Sequence, residues 1–166
     1  MLRFDVVVSL SIADLTRREA DLALRFVRPR GEGLVARRLG ALDHAVLAHP
    51  RWRDTPWEAL DWVALDVPGL STDEGTWVHR HGARPPVLRS ADWEAVHAAV
   101  RAGLGATVST RRLADGASDL VVLDAPAPLP PPIPLWLVTH RATRTLPRVD
   151  AVWRAIVGWA ATARAS

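Results

Sequence analysis

The 166-residue chain contains no cysteine, no lysine and no tyrosine, and it has a single methionine. Without cysteine it forms no disulfide bond and offers no thiolate to a metal ion. Without lysine it has no amine for a Schiff base and none to hold the phosphates of a nucleotide-binding P-loop. These absences narrow the possible chemistry, although they do not indicate a cellular compartment.

Long apolar segments are also missing, since no run in the sequence approaches the roughly 18–20 residues that a membrane span requires. The apolar stretch near the N-terminus is short and lacks a small-residue cleavage site, so it predicts a strand rather than a signal peptide. We therefore expect a cytoplasmic chain with no membrane partner. Its hydrophobic content of 49% predicts a real core, in one domain or in one domain with two lobes.

The high isoelectric point is weak evidence for nucleic-acid binding. The sequence pI is about 11.0, yet the net charge is only +3. Because lysine, tyrosine and cysteine are absent, almost nothing titrates between histidine and arginine, and a small excess of charge carries the pI to the arginine range. The pairs Arg37-Arg38 and Arg111-Arg112 are typical of solvated faces. We expect no direct DNA contact by this chain.

The first half of the chain predicts short strands separated by turns. The β-branched residues of Phe4–Ser9 predict a strand, and residues 11–20 fit a short helix. The sequence of Asp21–Phe26 is typical of a buried strand. A further short helix begins near Pro56. The remaining predicted strands are Leu34–Leu39, His44–Ala48, Trp62–Leu65 and Thr76–His79.

The second half predicts its elements more clearly. Ser90 is suited to cap a helix that ends before Gly103, with Asp92 in its first turn. Strands that alternate with helices predict an α/β fold with mostly parallel sheets. The other predicted elements are strands at Pro86–Arg89, Gly105–Ser109, Asp119–Leu123 and Ile133–Thr139, a stiff spacer at Pro126–Pro134, and a last helix over Pro147–Ala163.

No constellation of acid, base and nucleophile is present, so we expect neither an enzyme nor a bound cofactor. Gly103 and Gly105 end a helix rather than open one, which does not fit a dinucleotide-binding fingerprint. The pair His79 and His81 could put two imidazoles on one strand face, but no further ligand is spaced to complete a metal site. We therefore expect no resident metal ion.

Three segments together resemble the effector-binding domain of LysR-type transcriptional regulators. Leu15–Gly40, LTRREADLALRFVRPRGEGLVARRLG, resembles the family's helix, "ADLALR" strand and "L-x-x-R-x-L-G" segment. LRSADWEAVHAAVRAGLGATVSTRRLADG is similar to its strand, helix and "aGLG" turn, and PLWLVTHRATRTLPRVDAVWRAIVGWA to its last crossover strand and C-terminal helix. No single motif is diagnostic, but the ordered set is specific and covers nearly the whole chain.

The resemblance implies a two-lobed α/β fold like that of type 2 periplasmic binding proteins. Lobe I would comprise residues 1–47 and 139–166, and lobe II residues 48–138. Hinge strands would lie near residues 45–48 and 136–139. In the family a small effector binds between the lobes and shifts their arrangement, which requires different affinities for two states.

The chain departs from the family pattern at its N-terminus. The winged helix-turn-helix and the linker helix are missing, and so are the first strand and first helix of lobe I. Such a first strand is central in a doubly wound sheet, and ligands lie near its carboxyl end. The departure therefore bears on the stability of lobe I, on the effector site and on dimerisation. Three explanations would fit this departure: the gene is truncated, its start codon was assigned too late, or the chain is a fragment.

The resemblance implies candidate effector-binding residues in the N-terminal third of the chain. Ser9 and Ser11 follow the first strand, where a cleft would lie, and the alternative is a turn or a helix cap. Arg25 ends the "ADLALR" strand near the hinge and could hold a carboxylate through two parallel hydrogen bonds. A structural ion pair is the alternative for Arg25.

Further candidates lie in the second half. Ser90, Ala91 and Asp92 would form a helix N-terminus that faces the cleft in the family, where free N–H groups suit an anion. Asp92 would repel that anion unless its carboxylate points away, so capping is the alternative. Val108 and Ser109 follow the GLG turn and either touch the ligand or serve packing alone.

The expected partners are a small-molecule effector, with an anion favoured, and further copies of the chain in a homo-oligomer of the intact regulator. A second hypothesis stays open from the sequence. The chain could be a regulator remnant, or an interaction module that pairs with other regulator chains through lobe II without binding ligand.

Overall fold

The computed structural model of the chain describes residues 2–8, 15 and 19–162. Within these residues the strands are β1 (Ala23–Arg25), β2 (Leu34–Leu42), β3 (His44–Ala48), β4 (Val63–Leu65), β5 (Leu88–Ser90), β6 (Thr107–Thr110), β7 (Val121–Leu123) and β8 (Ile133–His140). The α-helices are α1 (Asp73–His81), α2 (Trp93–Arg101), α3 (Arg141–Arg144) and α4 (Pro147–Thr162). Short 3₁₀ helices lie at Pro50–Trp52, Trp57–Ala59 and Arg111–Ala114.

The chain divides into two compact units, and the first comprises residues 1–41 and 133–166. It contains a three-stranded sheet of order β1-β8-β2, in which β1 runs antiparallel to β8. Trp153 and Ala160, two turns apart on α4, pack with Leu39 and Leu137 in its hydrophobic core. One face of α4 therefore covers this sheet, as expected for an amphipathic helix.

The second unit comprises residues 42–132. Here β3 lies between β6 and β7 and is antiparallel to both, while β4 pairs in parallel with β5. A parallel bridge between Trp62 and Ala106 connects the start of β4 to the segment that leads into β6. All five residues of β3 are buried, so this strand crosses the centre of the unit.

β4 is covered on both faces. Trp62, just before the strand, and Ala64 belong to the core cluster that includes α1 residues, whereas Val63 and Leu65 belong to the cluster that includes α2 residues. Successive side chains of a strand point to opposite faces, so α1 and α2 pack on opposite sides of β4. Burial on both faces explains why this strand reads as a continuous apolar run.

The predicted α/β class is confirmed, but the prediction of mostly parallel sheets is wrong. Of the four strand pairs whose register is defined among the described residues, three are antiparallel and only β4–β5 is parallel. Parallel neighbours need a crossover connection, and α1 supplies one between β4 and β5. β3 instead meets β6 and β7 running in the opposite direction.

The N-terminal predictions fail where the structure describes them. Residues 4–8 form no strand, and Val8 is 95% exposed. The predicted helix over 11–20 lies outside the described residues except for three positions that are not helical. The predicted buried strand Asp21–Phe26 shrinks to β1, an edge strand whose Leu24 is exposed. β-branched composition alone does not make a strand where no neighbouring strand receives its backbone hydrogen bonds.

The predicted strand Thr76–His79 is part of helix α1. Thr72 caps this helix, because its hydroxyl accepts a hydrogen bond from the Gly75 N–H at 3.1 Å. Trp77 and Val78 are buried on the inner side of the helix. The cap and two acidic residues in the first turn outweigh the β-branched and aromatic side chains that favoured a strand.

Candidate functional site

The two parallel strands of the second unit end at one edge, and a helix begins after each of them. β4 ends at Leu65 and is followed by α1, and β5 ends at Ser90 and is followed by α2. The Asp66 N–H donates a hydrogen bond to the Ser90 carbonyl oxygen at 2.8 Å, which holds the two strand ends together. In α/β sheets ligands bind outside the carboxyl ends of the strands. We call this place the carboxyl edge of the second unit.

On the α1 side of this edge, the helix approaches the end of β4 closely. The Thr72 hydroxyl lies 3.4 Å from the Leu65 carbonyl oxygen, and Gly75 lies directly against the same oxygen. A groove of about 280 Å³ opens beside them and is bordered by Asp66, Thr76 and His79. Ser71 and Thr76, whose hydroxyls lie 2.9 Å apart, also line the groove and give it polar groups that a small ligand could contact.

On the α2 side, Asp92 rather than Ser90 is the N-cap, so that prediction is wrong. The Asp92 carboxylate accepts a hydrogen bond from the Glu94 N–H at 2.9 Å. The Ser90 hydroxyl accepts one from the Asp92 N–H at 3.1 Å, and Ala91 is exposed between them. The helix N-terminus is already satisfied by a carboxylate of the chain, so an anion placed there would meet negative charge.

The two candidates on β6 have different surroundings. Val108 is opposite Val46 and has no exposed surface, so it packs in the core. Ser109 is opposite Ala45 and is 3% exposed, and its hydroxyl lies 3.1 Å from Nε2 of His97 on α2. The structure therefore connects Ser109, but not Val108, to a second polar side chain.

His97 of α2 was not among the residues predicted from the sequence to bind the effector. Its ring stacks on Trp93, with 5.1 Å between ring centroids. Burial lowers the pKa of His97; Glu94 raises it and Arg101 lowers it, and the net pKa is below the ordinary value. The imidazole is therefore neutral at pH 7. A lone polar residue on an apolar helix face was the signal that could have identified it.

Arg25 lies in the first unit, near the end of edge strand β1. It is half-buried and stands opposite Trp136 of β8. The Trp136 indole N–H is buried and has no hydrogen-bond partner among the described residues. Ser9 and Ser11 lie outside the described residues. In the second unit, the structure thus places Ser90–Asp92 together at the carboxyl edge and pairs Ser109 with His97. Arg25 lies in the first unit.

His79 takes part in a cluster that the sequence analysis did not find. Its Nε2 lies 2.8 and 3.0 Å from the two carboxylate oxygens of Asp66, and Arg89 lies 3.9 Å from the same carboxylate. Because residues two apart on a helix do not face the same side, His81 does not join His79, contrary to the prediction of a shared strand face. The His81 ring instead packs against Trp77, with 4.9 Å between ring centroids and a tilt of 40°.

The described residues contain neither a metal-binding cluster nor a membrane-spanning helix. No group of three or more histidine, aspartate or glutamate side chains is arranged to hold a metal ion in residues 2–8, 15 and 19–162. No helix in the same part of the chain is long and apolar enough to cross a membrane.

Comparison with protein families gives one match, to the LysR substrate binding domain, over residues 2–161. No curated protein matches the sequence. Among solved structures, full-length LysG from Corynebacterium glutamicum with bound effector Arg is 20% identical, with a TM-score of 0.61. That alignment covers 88% of this chain and 53% of LysG, so the chain spans about half the length of the full-length regulator.

Two regulatory domains match over a larger share of their own length. The CrgA regulatory domain from Neisseria meningitidis is 19% identical with a TM-score of 0.59, over 87% of this chain and 77% of that chain. The bromide-bound regulatory domain of HypT from Salmonella typhimurium is 16% identical with a TM-score of 0.65. That alignment covers 89% of this chain and 76% of the HypT domain. At these identities the likeness concerns the fold.

Proposed function

Because the chain belongs to the LysR substrate-binding domain family, we propose that it is the small-molecule-binding regulatory domain of a LysR-type transcriptional regulator. The observation that carries the proposal is the family match over residues 2–161, which includes both compact units. The fold agrees, since regulator structures with TM-scores near 0.6 share the two-lobed architecture like that of type 2 periplasmic binding proteins.

Signal transmission in this proposal is a shift between two arrangements of the lobes. The predicted lobes are residues 1–47 with 139–166 and residues 48–138, with hinges near 45–48 and 136–139. The chain divides into two compact units between residues 41 and 42 and between 132 and 133, six residues before each predicted boundary, which supports two lobes but not those exact limits. A ligand shifts such an equilibrium only to the extent that it binds one arrangement more tightly than the other.

We propose that Arg25 binds the charged group of the effector. A guanidinium can bind a carboxylate through two parallel hydrogen bonds. Arg25 stands opposite Trp136, whose buried indole N–H has no partner among the described residues. Two similar proteins hold charged ligands: LysG has arginine bound as its effector, and the HypT regulatory domain has bromide bound. An anionic effector remains the favoured class.

The effector contacts proposed within the second unit itself are polar and neutral. Ser90 and Ala91 lie at the carboxyl edge, and Ser109 presents a hydroxyl bonded to His97. Asp92 already uses its carboxylate as the helix cap. We therefore propose that Asp92 selects against a second negative charge, or favours an amino group, at this end of the effector.

Thermal unfolding of the chain with a panel of amino acids, small carboxylates and aromatic acids tests this proposal. A ligand at 100 times its dissociation constant adds about 2.7 kcal/mol to stability, which moves the midpoint by several degrees. The expected result is one chemical class that raises the midpoint in the wild type and less in Arg25→Gln. A midpoint unmoved by every compound would contradict the proposal.

A second candidate function, an interaction module for other regulator chains, is favoured by one observation. Residues 2–8 belong to the first unit, not to the lobe II surface considered in the sequence analysis, and they expose Phe4 and three consecutive valines, Val6–Val8, at 65% or more of their surface. Exposed apolar surface of this kind is typical of protein contacts. Sedimentation of the wild type and Val7→Glu tests this function, which predicts an oligomer that the substitution dissociates. A wild-type monomer would exclude it.

A further inference from the structure

A buried histidine lies where the chain enters the second unit. His44 begins β3, two residues after the boundary between residues 41 and 42, and its side chain is 1% exposed. Nδ1 of His44 is 3.1 Å from the Pro130 carbonyl oxygen, and Nε2 is 3.2 Å from a carboxylate oxygen of Glu74. Pro130 lies two residues before the unit ends at Pro132. One side chain therefore contacts both ends of the unit.

Both partners of His44 are acceptors. A carbonyl oxygen has no hydrogen to donate, and neither has an ionised carboxylate, whereas a neutral imidazole carries only one N–H. The imidazolium carries two, one for each partner. The geometry is therefore satisfied by a protonated His44 beside an ionised Glu74, and the same atoms would be one hydrogen bond short if His44 alone lost its proton.

The charges around the ring favour the same state. Glu74 is the charged group that faces the ring from α1; on β6 the residue opposite is Thr110, and the proline segment presents carbonyl oxygens of Pro130 and Pro131. Burial lowers the pKa of His44, but Glu74 and these carbonyls outweigh it, so the net pKa is raised. Burial raises the pKa of Glu74, but its interactions, above all the hydrogen bond to His44, outweigh burial, so the net pKa is lowered.

Helix α1 holds the proline segment at a second point. The Trp77 indole N–H donates a hydrogen bond to the Pro128 carbonyl oxygen at 2.8 Å, one turn along the helix from Glu74. The segment continues directly into β8, while His44 begins β3. α1 is thus attached to both chain segments that lead from the second unit to the first.

We propose that Glu74, His44 and Pro130 form a proton-dependent latch: the imidazolium fixes both connecting segments to α1, and loss of its proton loosens them. The latch does not depend on which ligand the chain binds. It would make the anchoring of the segments at the ends of the second unit sensitive to pH in the range where histidine titrates.

The pH range follows from the two pKa directions. The contribution of His44 is fully present below its unfolded value, about 6.5, and is lost as the pH rises through its higher folded value. The contribution of Glu74 is present above about 4.3 and is lost as the pH falls through its lower folded value. The latch is therefore strongest between these two ordinary values.

Long-range ¹H–¹⁵N spectra of the histidine rings in the full chain test the protonation state. At pH 6 we expect both nitrogens of His44 to be protonated, with a titration midpoint above the ordinary value for histidine. Glu74→Gln should lower that midpoint, whereas Asp73→Asn, which removes an exposed charge from the same helical turn, should not. A neutral His44 at pH 6 would overturn the proposal.

Hydrogen exchange tests the loosening itself. As the pH rises through the His44 midpoint, protection factors at residues 44–48 and 133–140 should fall by up to roughly tenfold for each unit by which the folded pKa exceeds the unfolded one. Protection in α2 should change less. Glu74→Gln should abolish this pH dependence, and Asp73→Asn should retain it. Equal loss of protection across both units, or none in either segment, would overturn the latch even if Glu74→Gln failed to fold.

Discussion

Gly75 of α1 lies against the carbonyl oxygen of Leu65 at the end of β4, with no room for a side chain between them. A Cβ at Gly75 would come closer than 3.0 Å to this oxygen, a separation that real Cβ atoms essentially never show. The obstacle is backbone, which does not rotate away. This approach sets the distance between α1 and β4, and with it the groove at the carboxyl edge.

Gly75→Ala should therefore destabilise the chain by about 1–3 kcal/mol, because strain exceeds the gain in helix propensity. Gly158→Ala is the matched control: it is also helical, and nothing lies within 4 Å of its added Cβ. That substitution should stabilise the chain by about 0.5–1 kcal/mol. Urea unfolding of the two variants measures both effects, and a stabilised Gly75→Ala would refute the close approach.

The cap of α2 gives a second prediction. Asp92→Ala removes the acceptor of the Glu94 N–H and should cost about 1 kcal/mol of stability. Ser90→Ala, which leaves that cap in place, should cost less. Asp124→Ala, at an exposed position outside any helix, controls for the loss of a carboxylate. If thermal unfolding showed that Ser90→Ala is the more destabilising change, Ser90 rather than Asp92 would be the N-cap.

Trp77 and Trp62 differ in the hydrogen bonding of their indole N–H groups. The Trp77 N–H donates to Pro128, whereas the buried N–H of Trp62 has no partner among the described residues. Both rings lie in one aromatic cluster, so replacement by phenylalanine removes similar packing. Trp77→Phe should be the more destabilising by about 1 kcal/mol, the net value of a hydrogen bond. Chemical denaturation of the two variants side by side measures the difference, and equal losses would argue against the Trp77 bond.

We predict that His97 makes an acid-sensitive contribution to the stability of the folded chain. Its pKa is depressed in the folded chain, chiefly by burial. Its contribution is therefore present above about 6.5, the unfolded value, and is lost as the pH falls through the folded value. His97→Gln should flatten this part of the stability profile between pH 7.5 and 5.

Ser109→Ala separates burial from hydrogen bonding in that profile. Because burial is the main cause of the pKa change, this variant should keep the acid sensitivity while losing the partner of the His97 ring. Urea unfolding over the same pH range measures both variants. A profile flattened by Ser109→Ala alone would assign the effect to the hydrogen bond instead.

Elements with strong local patterns could be predicted from the sequence. β3 is a buried apolar strand, α2 has a regular apolar face that ends at Gly103, and α4 is long enough for its periodicity to be clear. α1 was missed because glycine, threonine and tryptophan are weak helix formers, and tertiary packing of Trp77 on the core overrides that preference.

The polar contacts could not be predicted, because their partners are far apart in sequence. His44 meets Glu74 and Pro130, which lie 30 and 86 residues away. Ser109 was selected from its position after the GLG turn, but nothing in that motif identifies His97 as its partner. Long-range contacts of this kind depend on how the helices pack on the sheet, which local propensity does not encode.

The most direct test of ligand binding is an NMR titration of the full chain with the compound that raises its unfolding midpoint most. We expect saturable shifts that fit one binding site per chain and that include at least one of the proposed contacts Arg25, Ser90 and Ser109. Shifts confined to exposed arginines far from these residues, or no saturation, would contradict the assignment of this chain as an effector-binding domain.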